Sequence, residues 1–407
     1  MNTSAPPDRL HVLPPRITRT GRDIKLSVTI QGPDKTLELW YLLPERCNPF
    51  LTTVSDPFVI AVLFYAMRRR LDISVHGPVT KTLLENLEEF QQIWTNWKPK
   101  QYQKVNILPE SVIGRPVSRQ KHTLMTFSGG LDSCYTAWQY NFSSRPSAQK
   151  KPEAAVLVHG FNIPLTDTAA FNTLTLKSQK ILDSIGLELI PLKCNFRELF
   201  SGWEDSHAAA LASCLQIFSG RFSTGLIASS HAYNSLRLPW GSNPLTDPML
   251  SGNFMEIINH GGEKSRWQKA EAVSSWKEAV ANLQVCWRGK KKGTNCGACV
   301  TCITTAFYFA AAKGRYPAVL NIGSIEKALK KLYALPIKPV GVKRLDEFLN
   351  DAEKSGRRKK WLADLDRCRN FHKKRLRRPK TVGKIMLLGR KLLYAINSAM
   401  ERKLRPY

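Results

Sequence analysis

The sequence predicts an α/β protein: a parallel sheet with helices on both faces, preceded by an N-terminal α+β segment and followed by a basic helical C-terminus. Three observations predict it. Short apolar strands alternate with helix-like stretches between residues 122 and 229, the pattern of βαβ units. One strand, Ala154–His159 (AAVLVH), is apolar throughout, as a strand buried on both faces requires. A serine- and glycine-rich turn, Ser128–Ser133, joins the first of these strands to its helix, the position where such sheets bind ligands.

Along the chain, Ile24–Ile30 and Thr36–Leu43 read as paired strands around the turn Gly32-Pro33-Asp34. Asp56–Leu71 reads as a helix, with Asp56 as cap, Pro57 in the first turn, and Phe58, Ala61, Val62 and Tyr65 on one face. Asp72–Val79 follows as a strand. Thr82–Trp97 is amphipathic, with Leu83, Leu87 and Phe90 facing in and Glu85, Glu88 and Glu89 facing out. After His122–Phe127 come a helix to Tyr140, the strand Ala154–His159, a helix Ala169–Ile185 and a strand Leu187–Leu192. Helix Ser206–Ser219, strand Thr224–Ser229 and one long helix Ser265–Leu283 complete the core. The expected domains are 1–118 (accessory α+β), 119–340 (nucleotide-binding) and 341–407 (basic helical).

Composition bounds the function. With 43% hydrophobic residues in 407 positions, the chain can bury a core. The apolar runs Phe58–Met67 and Ile303–Ala312 fall short of the roughly 20 residues of a membrane span. The N-terminus has no apolar signal core, so a cytoplasmic location is expected. The net charge is +29, which points to an anionic partner. It is uneven: Gly341–Tyr407 holds 21 Lys or Arg against 7 Asp or Glu, a net +14. The densest runs are Arg357–Lys360 and Lys373–Arg378, and Ile385, Leu388, Leu392, Ile396 and Met400 suggest a helix beyond them. An acidic protein partner or substrate, nucleic acid and a merely solvated face are the three readings of this region.

Two motifs carry chemistry. In Phe127-Ser128-Gly129-Gly130-Leu131-Asp132-Ser133, the glycines let backbone N–H groups approach an anion, the following helix offers unpaired N–H groups, and Ser128 and Ser133 add hydroxyls. The arrangement suits a pyrophosphate, and no Gly-Lys-Ser/Thr follows to make a Walker loop. A bare Gly-Gly turn before a helix is the plain alternative. In Cys286-x9-Cys296-x2-Cys299-x2-Cys302, four thiolates match the tetrahedral demand of Zn²⁺, and Gly297 allows a sharp turn between them. An iron–sulfur cluster and unligated thiols are the alternatives. Arg288, Lys290, Lys291 and Lys292 would offset the negative cluster.

The string Ser128–Ser133 resembles the S-G-G-x-D-S signature of the PP-loop ATP pyrophosphatases. The resemblance implies ATP cleaved between its α- and β-phosphates, with Ser128, Gly129, Gly130, Asp132 and Ser133 on the pyrophosphate and its Mg²⁺. It also implies that His159 and Gly160 line one side of the nucleotide and Ser229 and Ser230 the other. His159 and His231 are candidate acid–base groups, though packing roles suit them better.

Cys286-Trp287-Arg288-Gly289 with the later cysteines, and Lys269-Ala270-Glu271-Ala272-Val273, resemble segments of 7-cyano-7-deazaguanine synthases, over roughly Lys121 to Lys313. That resemblance implies a structural Zn²⁺, a phosphate contact for Lys269 and a deazaguanine-like acid as substrate. Asn243–Leu250 stands where those enzymes hold the base, although Leu245 replaces their acidic residue; Asp247 would accept from a guanine-like N–H edge. The N-terminal segment and basic tail make the layout more similar to relatives in bacterial anti-phage operons. The expectation is an ATP-dependent ligase that adenylates a carboxylate and passes it to ammonia or a protein amine. A tRNA-thiolating enzyme and a non-catalytic nucleotide-sensing scaffold are the alternatives.

Overall fold

The computed structural model describes residues 9–114, 122–143, 150–289, 293–354, 356 and 359–377. They form two compact units, divided between Ile322 and Gly323. In the first unit the strands are β1 (Arg9–Val12), β2 (Arg16–Thr20), β3 (Asp23–Gln31), β4 (Thr36–Pro44), β5 (Asp72–Thr80) and β6 (Ile107–Ile113). They continue as β7 (Thr123–Thr126), β8 (Pro152–His159), β9 (Glu188–Cys194), β10 (Thr224–Ala228) and β11 (Glu256–His260). Its helices are α1 (Asp56–Arg69), α2 (Lys81–Trp97), α3 (Leu131–Phe142), α4 (Thr168–Asp183), α5 (Phe196–Leu199) and α6 (Trp203–Gln216). Helices α7 (Arg266–Val273), α8 (Lys277–Asn282) and α9 (Val300–Lys313) complete it.

The fold is α/β around one mostly parallel sheet. All these strands share it, in the order β11-β10-β7-β8-β9-β4-β3-β1-β5-β6, with β2 on β3. From β11 to β9 every pairing is parallel. Strand β7 is the first of this parallel set in the chain; β8 and β9 lie on one side of it, β10 and β11 on the other. The order therefore reverses between β7 and β10, the topological switch point where open α/β sheets bind ligands.

The expected accessory segment 1–118 is not a separate compact unit. Its strand β4 pairs antiparallel with β9 (Tyr41 opposite Cys194), so its sheet and the parallel sheet are continuous. Helix α1 packs on α6. Ser213 donates to the Pro57 carbonyl at 2.6 Å and is 2.5 Å from the Tyr41 hydroxyl, tying the two halves inside one core. The alternation that made 24–30 and 36–43 strands is realised as an antiparallel pair with inward Ile24, Leu26, Val28 and Ile30. The expected long helix 265–283 is broken into α7 and α8 around Ser274-Ser275-Trp276, where serine hydroxyls bond backbone carbonyls three residues back.

The second unit holds α10 (Ile325–Ala334), α11 (Pro339–Lys354) and α12 (Lys360–Arg377). Phe348 stacks on Trp361, and Arg369 and Lys373 both pair with Asp346 at 2.8 and 2.7 Å. Of the basic runs, Arg357, Arg358 and Arg378 lie outside the described residues, as does the helix expected from Ile385 to Met400. Among the described residues, no helix is long and apolar enough to cross a membrane.

Candidate functional site

Strand β7 delivers the chain to the switch point, and Phe127 keeps the ladder through its N–H to the Val156 carbonyl at 2.8 Å. The turn then folds on itself. The Ser133 hydroxyl donates to the Gly130 carbonyl at 3.1 Å and accepts from the Ser128 N–H at 3.3 Å; the Ser128 hydroxyl accepts from the Gly130 N–H at 3.3 Å. Gly129 has φ +68°, a left-handed conformation that glycine adopts without strain. Gly130 caps α3, whose N-terminal N–H groups and dipole would favour an anion. Leu131 is buried behind the turn.

Asp132, in the first turn of α3, is gripped by two cations from α7. Arg266 donates to one carboxylate oxygen at 2.7 Å and Lys269 to the other at 3.3 Å; Lys269 also donates to the Ser229 carbonyl at 2.6 Å. Burial alone would raise the Asp132 pKa, but Arg266 and Lys269 outweigh it and hold the carboxyl at about 2. Burial lowers the Lys269 pKa, and Asp132 opposes that shift. Lys269 is only 1% exposed. It therefore does not sit on a solvated helix face: it lies under the turn, 5.7 Å from the Tyr135 ring, whose hydroxyl donates to Glu263 at 2.7 Å. The capping box of Ser265 and Gln268 starts α7 in the register that aims Arg266 and Lys269 at one carboxylate.

A cleft of about 320 Å³ opens over the C-terminal ends of β7, β8 and β10. Ser128, Asp132 and Ser133 line one end; Phe161, Trp203, His207 and Trp240 line another. A smaller recess of about 140 Å³ adjoins it, sharing Ser128, Asp132 and Trp287 and adding Arg266, Thr301 and Thr305. Ser230 reaches the cleft from the end of β10.

Other expected site residues sit elsewhere. His159 is buried, bonds the Pro164 carbonyl through Nε2 at 2.8 Å and stacks on Phe171 at 4.3 Å. Burial lowers its pKa, and these contacts make it a packing residue off the cleft. Gly160 has φ +103°, and a Cβ there would lie 2.0 Å from the Cys194 carbonyl oxygen; it serves a backbone close approach. Ser229 is buried, and its hydroxyl donates to the His231 carbonyl at 2.8 Å; it reaches the site through its own carbonyl on Lys269. Asp247, expected to read the substrate, is fully buried and saturated. It accepts from Ser242 at 2.7 Å, Asn259 at 2.8 Å and the Asn243 N–H at 3.0 Å. A carboxylate so engaged pins the loop 242–247 and has no room for a ligand edge.

The four cysteines converge as their spacing predicts. Their sulfurs all lie within 4.8 Å of one another, with Cys296 and Cys302 3.9 Å apart. A tetrahedron of sulfurs about 2.3 Å from zinc has edges of about 3.8 Å, so the set can hold one metal ion and suits zinc. Backbone N–H groups of Arg288, Cys299 and Cys302 point at the sulfurs of Cys286, Cys296 and Cys299 at 3.3–3.5 Å, favouring thiolates. At Gly297 (φ +66°) a Cβ would come within 1.9 Å of the Asn321 carbonyl oxygen, so the knuckle requires glycine. Lys290, Lys291 and Lys292 lie outside the described residues.

The cysteine element also touches the turn. The Gln284 N–H donates to the Gly129 carbonyl at 2.8 Å, and the Gln284 side chain donates to the Cys286 carbonyl at 2.7 Å. The next residue, Trp287, lines both cavities. Arg266, Gln284, Trp203 and Trp240 were not singled out from sequence. Arg266 carried a readable signal, since it lies three residues before Lys269 and so on the same helix face. Trp203 and Trp240 carried none, because they meet only in the fold. No protein-family model matches the chain, and no curated protein and no solved structure is significantly similar to it.

Proposed function

We propose that this protein is an ATP-dependent C–N ligase of the PP-loop ATP pyrophosphatase kind. A substrate carboxylate oxygen attacks the α-phosphorus of ATP, the bond to the bridging oxygen breaks, and pyrophosphate leaves. A nitrogen nucleophile, ammonia or an amine of a partner protein, then attacks the acyl carbon and displaces AMP. The acid is 7-carboxy-7-deazaguanine or a close relative, as the resemblance of the cysteine and Lys269 segments implies.

The observation that carries this reading is the complete S-G-G-L-D-S turn at the switch point, with Asp132 held between Arg266 and Lys269. The turn N–H groups and Arg266, with the buried Lys269 holding Asp132 from behind, would form a fixed cationic site where negative charge builds on the departing pyrophosphate, and preorganised charge of this kind is the strongest lever on such a step. Asp132, ionised throughout the physiological range, would hold Mg²⁺ on the phosphates, and the ion would neutralise charge there. The closed four-cysteine set suits a structural Zn²⁺ that fixes Gln284 and Trp287 against the turn. The basic C-terminal region would dock an acidic partner.

Incubation with ATP, Mg²⁺ and the deazaguanine acid tests the reading. AMP and pyrophosphate are expected in equal amounts, and Asp132→Ala should abolish both. Absence of AMP with every acid tried, in protein that binds ATP, would overturn it.

A further inference from the structure

We propose that the exposed seam between α10 and α12 in the second unit binds single-stranded nucleic acid. It stacks a base on Phe371 and holds the neighbouring phosphates with Lys330, Lys374 and Arg375. The inference is independent of the adenylation reading and names the anionic partner of this basic unit.

Helices α10 and α12 lie side by side. The buried His372 donates through Nε2 to the Leu332 carbonyl at 2.9 Å, and the Tyr333 hydroxyl reaches the Asp364 carbonyl at 3.5 Å. Leu329 and Leu332 of α10 and Leu365 and Cys368 of α12 are buried. The residues adjacent to Leu332 and His372 are Tyr333 and Phe371. This packing brings them together at the surface, with ring centroids 5.6 Å apart.

A single exposed apolar side chain is ordinary. Phe371 is placed differently. It is 46% exposed, yet it is braced: Tyr333 tilts against it at 58°, and the His372 ring meets it nearly perpendicular at 5.1 Å. Neither neighbour lies parallel to it, so the ring is held while a face stays open for stacking. Cations flank it on both helices. Lys330 stands three residues before Tyr333, and Lys374 and Arg375 three and four residues after Phe371, spacings that share a helix face. All three are exposed, and among the described residues they make no ion pair. Both acids of α12 and Asp346 of α11 are engaged by other cations. Asp346 holds Arg369 and Lys373 at 2.8 and 2.7 Å, Asp366 holds Arg369, and Asp364 holds Arg367.

A braced aromatic face between cations suits a ligand with a flat π-system and anionic groups on either side of it. Single-stranded nucleic acid has both at every nucleotide, and stacking on aromatic side chains along a basic track is how such strands are held without sequence readout. A duplex keeps its base faces inside the stack, and an acidic peptide offers carboxylates without a ring beside each. Either would use the cations and leave Phe371 idle.

Fluorescence anisotropy with the full chain tests this. The probes are labelled DNA and RNA single strands of about 12 nucleotides, a DNA duplex of the same length and a polyglutamate peptide. At least one single strand should bind, and the tighter of the two identifies the class the seam serves. Phe371→Ala should weaken that strand about 5- to 100-fold, the worth of one stacked base, and leave duplex and polyglutamate within about twofold. Phe371→Trp should retain the affinity, because it keeps a stacking face. Replacing Lys374 and Arg375 together by Gln should lower the slope of log affinity against log salt by about 1.4, at about 0.7 for each phosphate contact. No binding of either single strand, or single-strand affinity unchanged in Phe371→Ala, would overturn the inference. Equal losses of Phe371→Ala on all the probes would overturn it as well, and would assign the seam to an acidic protein or to charge alone.

Discussion

Replacing Lys269 by Met separates catalysis from stability. The side chains are similar in length, and Met removes only the charge and the donors. Lys269 is nearly inaccessible and lies 3.3 Å from Asp132. At an effective dielectric constant of about 20 that attraction is about 5 kcal/mol. The desolvation of a fully buried ammonium is several kcal/mol in the opposite direction, so the two nearly cancel. Asp132 keeps Arg266 at 2.7 Å, and the remaining loss is the unpaired Ser229 carbonyl, about 1–3 kcal/mol. Thermal unfolding should therefore fall by only a few degrees. AMP release should fall about 10- to 100-fold, the usual effect of removing a supporting group that orients a metal-holding carboxylate. Differential scanning fluorimetry and an AMP assay at saturating ATP read the two effects. A variant that keeps AMP release within threefold of wild type would make Lys269 a structural lysine and refute the reasoning.

Elemental analysis should find one tetrahedrally bound metal per chain, zinc on this account, and Cys296→Ser should lose it together with at least about 5 °C of thermal stability. Gly160→Ala should destabilise the protein by about 2 kcal/mol or more in denaturant melts, because the Cβ would meet the Cys194 carbonyl at 2.0 Å. Asp247 has its carboxyl pKa raised to about 6 from an ordinary 3.8, burial outweighing its hydrogen bonds. A group whose folded pKa is raised binds its proton more tightly in the folded state, so its contribution to stability declines as pH rises from about 4 to 6 and stays low above that. The stability of wild type minus Asp247→Asn should accordingly shrink by about 3 kcal/mol across that range, and a flat difference would show that Asp247 stays ionised and unstrained.

Local patterns made much of this legible. The turn Ser128–Ser133 and the cysteine spacing are contiguous signals, and both assemble in the fold as their spacing implies. Helices α1, α2, α4 and α6 lie within a few residues of their expected bounds. Pairing between distant strands was not legible: nothing local in Tyr41 or Leu42 says that they meet Cys194 and Lys193, so a continuous sheet looked like two domains. Burial was equally hidden. Asp247 looked like a free acceptor in a proline-rich loop, and only the fold surrounds it with Ser242, Asn243 and Asn259. His159 looked well placed at a strand end, but its side chain packs on Phe171, away from the cleft. Charged residues read as surface by default, so nothing local marks Lys269 as buried or Arg266 as its companion on Asp132.

In the proposed reaction a carboxylate is joined to the α-phosphorus of ATP in this cleft. Acid labelled with ¹⁸O in its carboxyl group tests it most directly, by mass analysis of the AMP formed. If the acyl adenylate forms, displacement of AMP leaves one labelled oxygen on its phosphate. Unlabelled AMP, or ADP and phosphate in its place, would contradict the account.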